Sequence, residues 1–443
     1  MTGAQSFIAR GAIAFAASGA TCAALCYKSA FKIDQRRFDK FFLLLFAISR
    51  FGLFALVFLV AHIAPRGDAP GIYVPEALLR LHGGIPYLSF KSSYAPLHSY
   101  LDALICSVVP GALGLIFLAI AAEIVALFFW IKAGRALFSD NQVRIASILY
   151  FFSPVSLQFV AIDGQNNAII SLFLALSIFL LLRRRNVLSG VCFALSICVV
   201  KFLPLLWLPA FLTYCPRKLR WLIGALVPVL LVYGYFGLFL HTPLLVPFTA
   251  EGGMKSAGTL SYWIEGIAGH DFGKHIWDLL LLAALGCTLL RDILASRKLQ
   301  DDLSSHVRAL IVSLPLYLIV LMALAKKSWP TYCVIILFPL AVLIAKTMER
   351  AAPLRRRLIL AGFLVFGIAA ALEHSYWATF TAQQDALSFH ARLLAGQLVA
   401  WTQLAWEICI LSSYAFLAWI CVKNRPGEDV PAVRSSDTRV EVA

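Results

Sequence analysis

The sequence predicts an all-α polytopic membrane protein, a bundle of about 11–13 transmembrane helices. Three observations carry this. Of 443 residues, 61% are hydrophobic and only 14% charged, with a mean hydropathy of +0.83; a soluble domain carries about 25% charged residues. Apolar runs of roughly 20 residues recur along the whole chain, each long enough to cross a ~30 Å hydrocarbon core. The runs are continuous rather than alternating, so they read as helices and not as barrel strands.

In chain order the runs fall near 7–27, 41–64, 111–134, 144–162, 165–182, 187–200, 202–215, 221–240, 276–291, 309–325, 330–346, 358–374 and 397–421. The first has no convincing small-residue cleavage site and reads as a retained helix. The stretch 187–215 is interrupted by Lys201 and prolines and reads as two half-runs. Residues 1–421 form one transmembrane domain. Segment 65–109 is a first large extracytoplasmic loop, 241–275 a second, and 422–443 a polar cytoplasmic tail expected to be disordered.

The net charge of +15 is a topology signal rather than a nucleic-acid footprint, because the basic residues sit in short clusters between apolar runs. Connections 28–40, 132–144, 183–186, 216–220, 291–308, 346–357 and the tail hold 27 of the 38 Lys and Arg residues, and the alternate set holds 9. The first set is therefore cytoplasmic. The ten cysteines lie mostly inside apolar runs without CxxC or Cys/His spacing, which gives neither a metal site nor a disulfide framework.

This orientation places Asp68, Asp163, Lys201, Lys326, Lys327 and the 241–275 loop on one extracytoplasmic face. Asp68, just past the second run, reads as a turn carboxylate or as a general base. Tyr73 and Glu76 follow at helical spacing, then Lys91 and Tyr94, as supporting groups. Asp163, Gln165 and Asn167 read either as a turn or as a mixed donor and acceptor surface for sugar hydroxyls. Lys201 lies in the apolar SICVVKFLPLLWLP, where a cation is costly and functional unless it snorkels. Lys326 and Lys327 in AKKSWPTY read as snorkelled belt lysines or as a clamp for a lipid phosphate. In the second loop Trp263 and His270 are ligand-binding candidates; His270–Asp271 lacks further ligands at useful spacing, so no metal is expected. Glu373 and His374 fall at another helix end on that face.

The segment GDAPGIYVPEALLRLHGGIPYLSFKSSYAPL, through Gly84, Pro86, Tyr87, Tyr94, Pro96 and Leu97, resembles the first extracytoplasmic loop of C-type (GT-C) membrane glycosyltransferases. Gly164, Gln165, Asn167, Gly190, Lys201 and Pro204 look like the central region of glycosyltransferase family 87, and KKSWPTYCVIILFPL is similar to its basic-aromatic-proline segment. Asp68 stands alone where several C-type families have adjacent acids, and the resemblance does not account for the N-terminal helix. It implies a GT-C-like bundle in a cell membrane, with a bacterial inner membrane and a periplasmic site expected. It implies inverting transfer of one hexose or pentose, mannose favoured, from a polyprenyl-phosphate-linked donor to a glycan or lipid acceptor. In those roles Asp68 is the catalytic base and Lys201, Lys326 and Lys327 bind donor phosphate. Tyr73, Glu76, Lys91, Tyr94, Asp163, Gln165, Asn167, Trp263 and His270 face the sugar or acceptor. No cofactor or metal and no nucleic-acid partner is expected. The alternatives are a transporter or flippase of lipid-linked saccharides, which would place its polar groups mid-membrane in repeated halves, and a polysaccharide polymerase or ligase.

Overall fold

A computed structural model describes residues 3–27, 33–247, 249, 257–300, 302–382 and 384–426. Among them there is no β-strand, and the chain is a helical bundle. Among the described residues nine helices are long and apolar enough to span a bilayer: α1 (Gly3–Cys26), α2 (Gln35–Val60), α5 (Ala112–Leu137), α11 (Lys218–Phe239), α13 (Lys274–Ser296), α14 (Leu303–Leu324), α15 (Pro330–Glu349), α16 (Pro353–Phe380) and α18 (Leu398–Lys423). A tenth candidate is the pair α6 (Asp140–Phe151) and α7 (Pro154–Ile162), bent by 44°. Three shorter apolar helices, α8 (Asn167–Leu182), α9 (Asn186–Val199) and α10 (Leu203–Tyr214), match the remaining predicted runs. The longer loops between the spans fold too. The first contains α3 (Val74–Leu81) and α4 (His98–Val108); the others contain α12 (Leu260–Ala268) and α17 (Ala386–Leu394).

Helix α15 is the axis of the bundle. It is apolar on every side, and every residue from Cys333 to Met348 is buried, as expected of a helix without a polar stripe. Peripheral α11 and α13 instead turn Leu230, Leu231, Leu279 and Leu290 outward, which is lipid-facing surface. Helices α9 and α11 approach through glycine: a Cβ on Gly190 would lie 2.1 Å from the Trp221 carbonyl, and one on Gly224 2.1 Å from that of Val187. Van der Waals contact between small residues is what holds helices together where lipid supplies no hydrophobic drive.

The bend between α6 and α7 follows from Pro154, which cannot donate to the preceding turn. The carbonyl of Phe151, left open where α6 ends, is taken by Arg50 Nη2 of α2 at 2.8 Å, and the same nitrogen reaches Ser156 Oγ at 2.7 Å. Arg50 Nε faces Glu123 Oε2 of α5 at 3.5 Å, and Glu123 Oε1 accepts from Ser156 (2.6 Å) and Tyr150 (3.1 Å). Arg50 and Glu123 are both 1% exposed. This internal pair fixes where α7 points, and α7 ends at Asp163.

Candidate active site

The turn after α7 is built around Gly164. Its φ is +64°, and a Cβ there would meet Ile116 Cγ1 at 2.6 Å, so both conformation and space demand glycine. The turn sends successive side chains in different directions. Gln165 Nε2 donates to Asp68 Oδ2 at 3.0 Å, and Tyr73 Oη donates to Gln165 Oε1 at 3.4 Å. Asn166 Nδ2 meets His98 Nε2 at 2.7 Å, and Asn167 Nδ2 donates to the Thr331 carbonyl at 3.1 Å. The amides thus join the first loop to the α14–α15 connection, and Asn167 is fully buried as a tie rather than presented to a cavity.

Asp68 opens the turn Ala69–Tyr73 directly after Gly67, where a Cβ would lie 3.8 Å from Asp163 Cβ. The two carboxylates have unequal partners. Asp163 is held bidentately by Arg10 of α1, with Nη1–Oδ2 at 2.8 Å and Nη2–Oδ1 at 2.5 Å. The Arg10 carbonyl in turn accepts from Gln158 Nε2 at 2.8 Å. The N-terminal helix thus delivers a cation to the site. His374, stacked edge-on against Trp329 at 4.8 Å, lies within the field of Asp68, Asp163 and Arg10.

A second group surrounds Lys201. The chain after α9 pairs with the first loop through Ala95 N to the Val200 carbonyl (3.0 Å) and Leu97 N to that of Cys198 (3.2 Å). This sets Lys201 Nζ 4.6 Å from the Tyr94 ring and 5.3 Å from the Tyr332 ring, a cation–π seat. Tyr94 stacks on His98 at 4.4 Å and meets Tyr73 edge-on at 5.2 Å. The phenol of Tyr87 donates to the Tyr94 carbonyl. Burial and the neighbouring Lys201 push His98 down to about 3, and burial pushes Asp102 well up. Their ring and carboxyl approach to 3.1 Å in an orientation that makes no hydrogen bond. The neutral His98 ring accepts from Asn166 Nδ2 at Nε2.

Glu76 is buried, accepts from Ser92 Oγ at 2.8 Å, and is raised by burial to about 7, opposed by the Ser92 hydrogen bond and the Lys201 charge. Because its folded value lies above its ordinary 4.5, the native state holds a proton that the unfolded chain releases between pH 4.5 and 7. Stability therefore falls as pH rises through that window, by on the order of 3 kcal/mol. Melting of the purified protein from pH 4.5 to 7.5 is expected to show this decline and Glu76→Gln to abolish it; equal slopes for the two proteins would refute the assignment.

Lys201 and Tyr332 line a cavity of about 980 Å³ bounded by Ser93 of the first loop, α10, α12, α13 and α17. Lys326 and Lys327 share its lining with Lys201, and Leu203, Leu206, Leu282 and Leu321 form an apolar wall. Lys326 Nζ meets Asp271 Oδ1 at 2.8 Å and Glu265 Oε1 at 3.6 Å. Much of its charge is thus balanced within the protein, which the reading of a simple clamp did not anticipate. Asp68 does not line this cavity; Tyr94, Tyr73 and Gln165 stand between it and Lys201.

The predicted residues therefore divide. Asp68, Tyr73, Asp163 and Gln165 form one cluster, Glu76, Tyr94 and Lys201 an adjoining one, and Lys326 and Lys327 the cavity rim. Lys91 is exposed, His270 is exposed against Phe272, and Trp263 is half-buried on α12; none of these three joins either cluster. Sequence reasoning missed Arg10, His98 and Asp102. A lone Arg in an apolar helix and a His/Asp pair at i, i+4 were the available signals. Among the described residues no cluster of three or more His, Cys, Asp or Glu side chains has metal-holding geometry.

No protein-family model matches the chain, so the likeness to family 87 rests on its short motifs, and no curated protein matches it either. Among solved structures, the chain is similar to ArnT from Cupriavidus metallidurans bound to undecaprenyl phosphate, at 10% identity and a TM-score of 0.48, covering 86% of this chain and 77% of that one. The apo form of the same protein gives 13% identity and a TM-score of 0.44 over 86% and 78%.

Proposed function

We propose that the protein is a GT-C-type membrane glycosyltransferase that uses a polyprenyl-phosphate-linked sugar on the extracytoplasmic face. The observation that carries this reading is the amphipathic cavity: Lys201, Lys326 and Lys327 share its lining with a leucine wall, and although Glu265, Asp271, Asp278 and Asp385 line it too, cations beside an apolar surface suit a ligand that is a phosphate joined to a lipid chain. An acceptor hydroxyl attacks the anomeric carbon of the donor in line and its proton passes to Asp68, which requires the donor sugar to extend from the cavity past Tyr94 and Tyr73 toward Asp68. The bond from that carbon to the phosphate oxygen breaks, inverting the configuration and releasing polyprenyl phosphate. Lys201 and Lys327 stabilise the charge developing on the leaving phosphate, while Lys326 gives only what Asp271 and Glu265 leave uncompensated. Gln165 holds one oxygen of Asp68 and leaves the other for the acceptor. A single hexose or pentose, with mannose favoured, goes to a glycan or lipid acceptor, and the membrane is a bacterial inner membrane.

Purified protein incubated with a panel of polyprenyl-phosphate sugars is expected to release polyprenyl phosphate with at least one of them; no release from any sugar, with acceptor lipids and glycans supplied, would overturn the proposal. Lys201→Gln is expected to lower kcat/KM for the active donor by about a hundredfold, in the range for removing one charge-stabilising donor. Rates equal to the parent's would remove Lys201 from the phosphate site.

A further inference from the structure

The basic connections 183–186, 216–220 and 291–308 carry a topology signal in the sequence. In the folded chain they meet at a second cavity, of about 390 Å³, whose lining includes Arg184, Asn186, Arg217, Asp302 and His306. Asn186 opens α9 and Lys201 follows its far end, so this cavity lies across the bundle from the candidate active site. Arg184 and Arg217 are both exposed at its mouth. Asp302 is the only acid on the lining among the described residues, and its carboxylate is already engaged: Oδ1 accepts from Ser304 N at 3.2 Å, and Oδ2 from Ser305 N at 3.0 Å and Ser305 Oγ at 3.1 Å. His306 turns Nδ1 to the Asp302 carbonyl at 2.9 Å, which leaves Nε2 as its outward nitrogen.

The backbone adds to this charge. Helices α9 and α11 begin beside the cavity, after Arg185 and Arg217, and neither start has a side-chain cap. Asn186 and Arg217 place both starts on the cavity lining, so the positive ends of both dipoles add to its field, whereas α14 is capped by Asp302. Two guanidinium forks supply donors from different directions, and two uncapped helix starts add positive field around a cavity larger than a water molecule. That arrangement suits the tetrahedral oxygens of a phosphate better than a planar carboxylate, which one guanidinium alone would satisfy.

We propose that this cytoplasmic-side cavity binds a phosphate group, carried either by an anionic phospholipid headgroup of the adjoining leaflet or by a soluble phosphate. The inference is independent of the proposed transfer reaction, since no residue in it belongs to the other site. The full-length protein in neutral detergent is titrated with phosphatidylglycerol, with phosphatidylcholine or with inorganic phosphate, and binding is followed by native mass spectrometry and by thermal shift. Saturable binding of phosphatidylglycerol but not of inorganic phosphate identifies a headgroup site, and saturable binding of inorganic phosphate a soluble ligand. In either case Arg184→Gln/Arg217→Gln is expected to weaken binding by about tenfold or more, given that each guanidinium supplies charge-assisted hydrogen bonds, and Arg217→Gln alone to weaken it partially. Arg357→Gln, which removes the same charge from an exposed position on α16, is expected to bind as the parent does. The proposal fails if neither anion saturates, if phosphatidylcholine binds as tightly as phosphatidylglycerol, or if the double variant, melting like the parent in neutral detergent, binds no worse than Arg357→Gln.

Discussion

Asp68→Asn is expected to lower glycosyl transfer by about 10²–10⁴-fold, the usual contribution of a positioned general base, while leaving the protein folded and in the membrane. The substitution keeps the volume of the side chain. It also keeps an oxygen that can accept from Gln165 Nε2, now at 3.0 Å from the carboxylate, so the hydrogen bond tying the first loop to the turn at Gly164 survives. What disappears is the ability to take a proton. Asp163 does not replace it, because both of its oxygens are engaged by Arg10. Transfer is measured as release of polyprenyl phosphate from the active donor, with melting temperature as the control for folding. A variant that melts normally and retains parental turnover would remove Asp68 from catalysis. It would also leave the first loop without a base, since Glu76 is tied to Ser92 and favours its neutral form below about pH 7.

Arg50→Ala is expected to have the largest effect on stability, about 3–5 kcal/mol, the cost of leaving a buried charge without its partner. Three groups lose a donor at once: the Glu123 carboxylate, Ser156 Oγ and the Phe151 carbonyl at the bend between α6 and α7. Against a total stability of roughly 5–15 kcal/mol, such a loss leaves little folded protein at elevated temperature. The damage also reaches the site, because α7 carries the chain to Asp163. The check is thermal melting in detergent of Arg50→Ala, Glu123→Ala and the double variant. The double variant is expected to be less destabilised than the sum of the two singles, since it leaves no orphaned charge. Strict additivity, or an unchanged melting point for Arg50→Ala, would show that the pair is energetically idle.

The helices were legible in the sequence because bilayer thickness sets a length that apolar runs must meet. All thirteen predicted runs correspond to helices in the bundle, and the uncertain stretch 187–215 is the pair α9 and α10, parted at Lys201. What the runs did not disclose is that α8, α9 and α10 are short and that α6–α7 bends at Pro154. Length and bend depend on which neighbour supplies a missing hydrogen bond, here Arg50, a residue distant in the chain. The helices inside the loops were equally hidden. Segments such as Val74–Leu81 are amphipathic but cover only about two turns, too short to be told from a loop by sequence alone.

The candidate site was legible only in part. Residue type picked out Asp68, Asp163, Gln165 and Lys201, since polar groups in a chain this apolar are costly. Type alone did not determine their partners. Lys201 has the predicted cation but a seat of Tyr94 and Tyr332, and Lys326 is balanced by Asp271 and Glu265. Lys91 and His270, alike in chemistry, stay outside both clusters.

By itself, the sequence determined that the chain is a helical membrane protein, which of its connections are basic, and where its costly polar residues lie. These are properties of solvent transfer and charge, and they act on each residue locally. Only the tertiary structure decided which polar residues meet. It set Arg10 of the N-terminal helix on Asp163, left Asp68 with one oxygen toward Gln165, and gathered three basic loops around a second cavity. The physical reason is that a pairing between residues such as Arg10 and Asp163, 153 positions apart, is fixed by how whole helices pack. No local pattern along the chain encodes it.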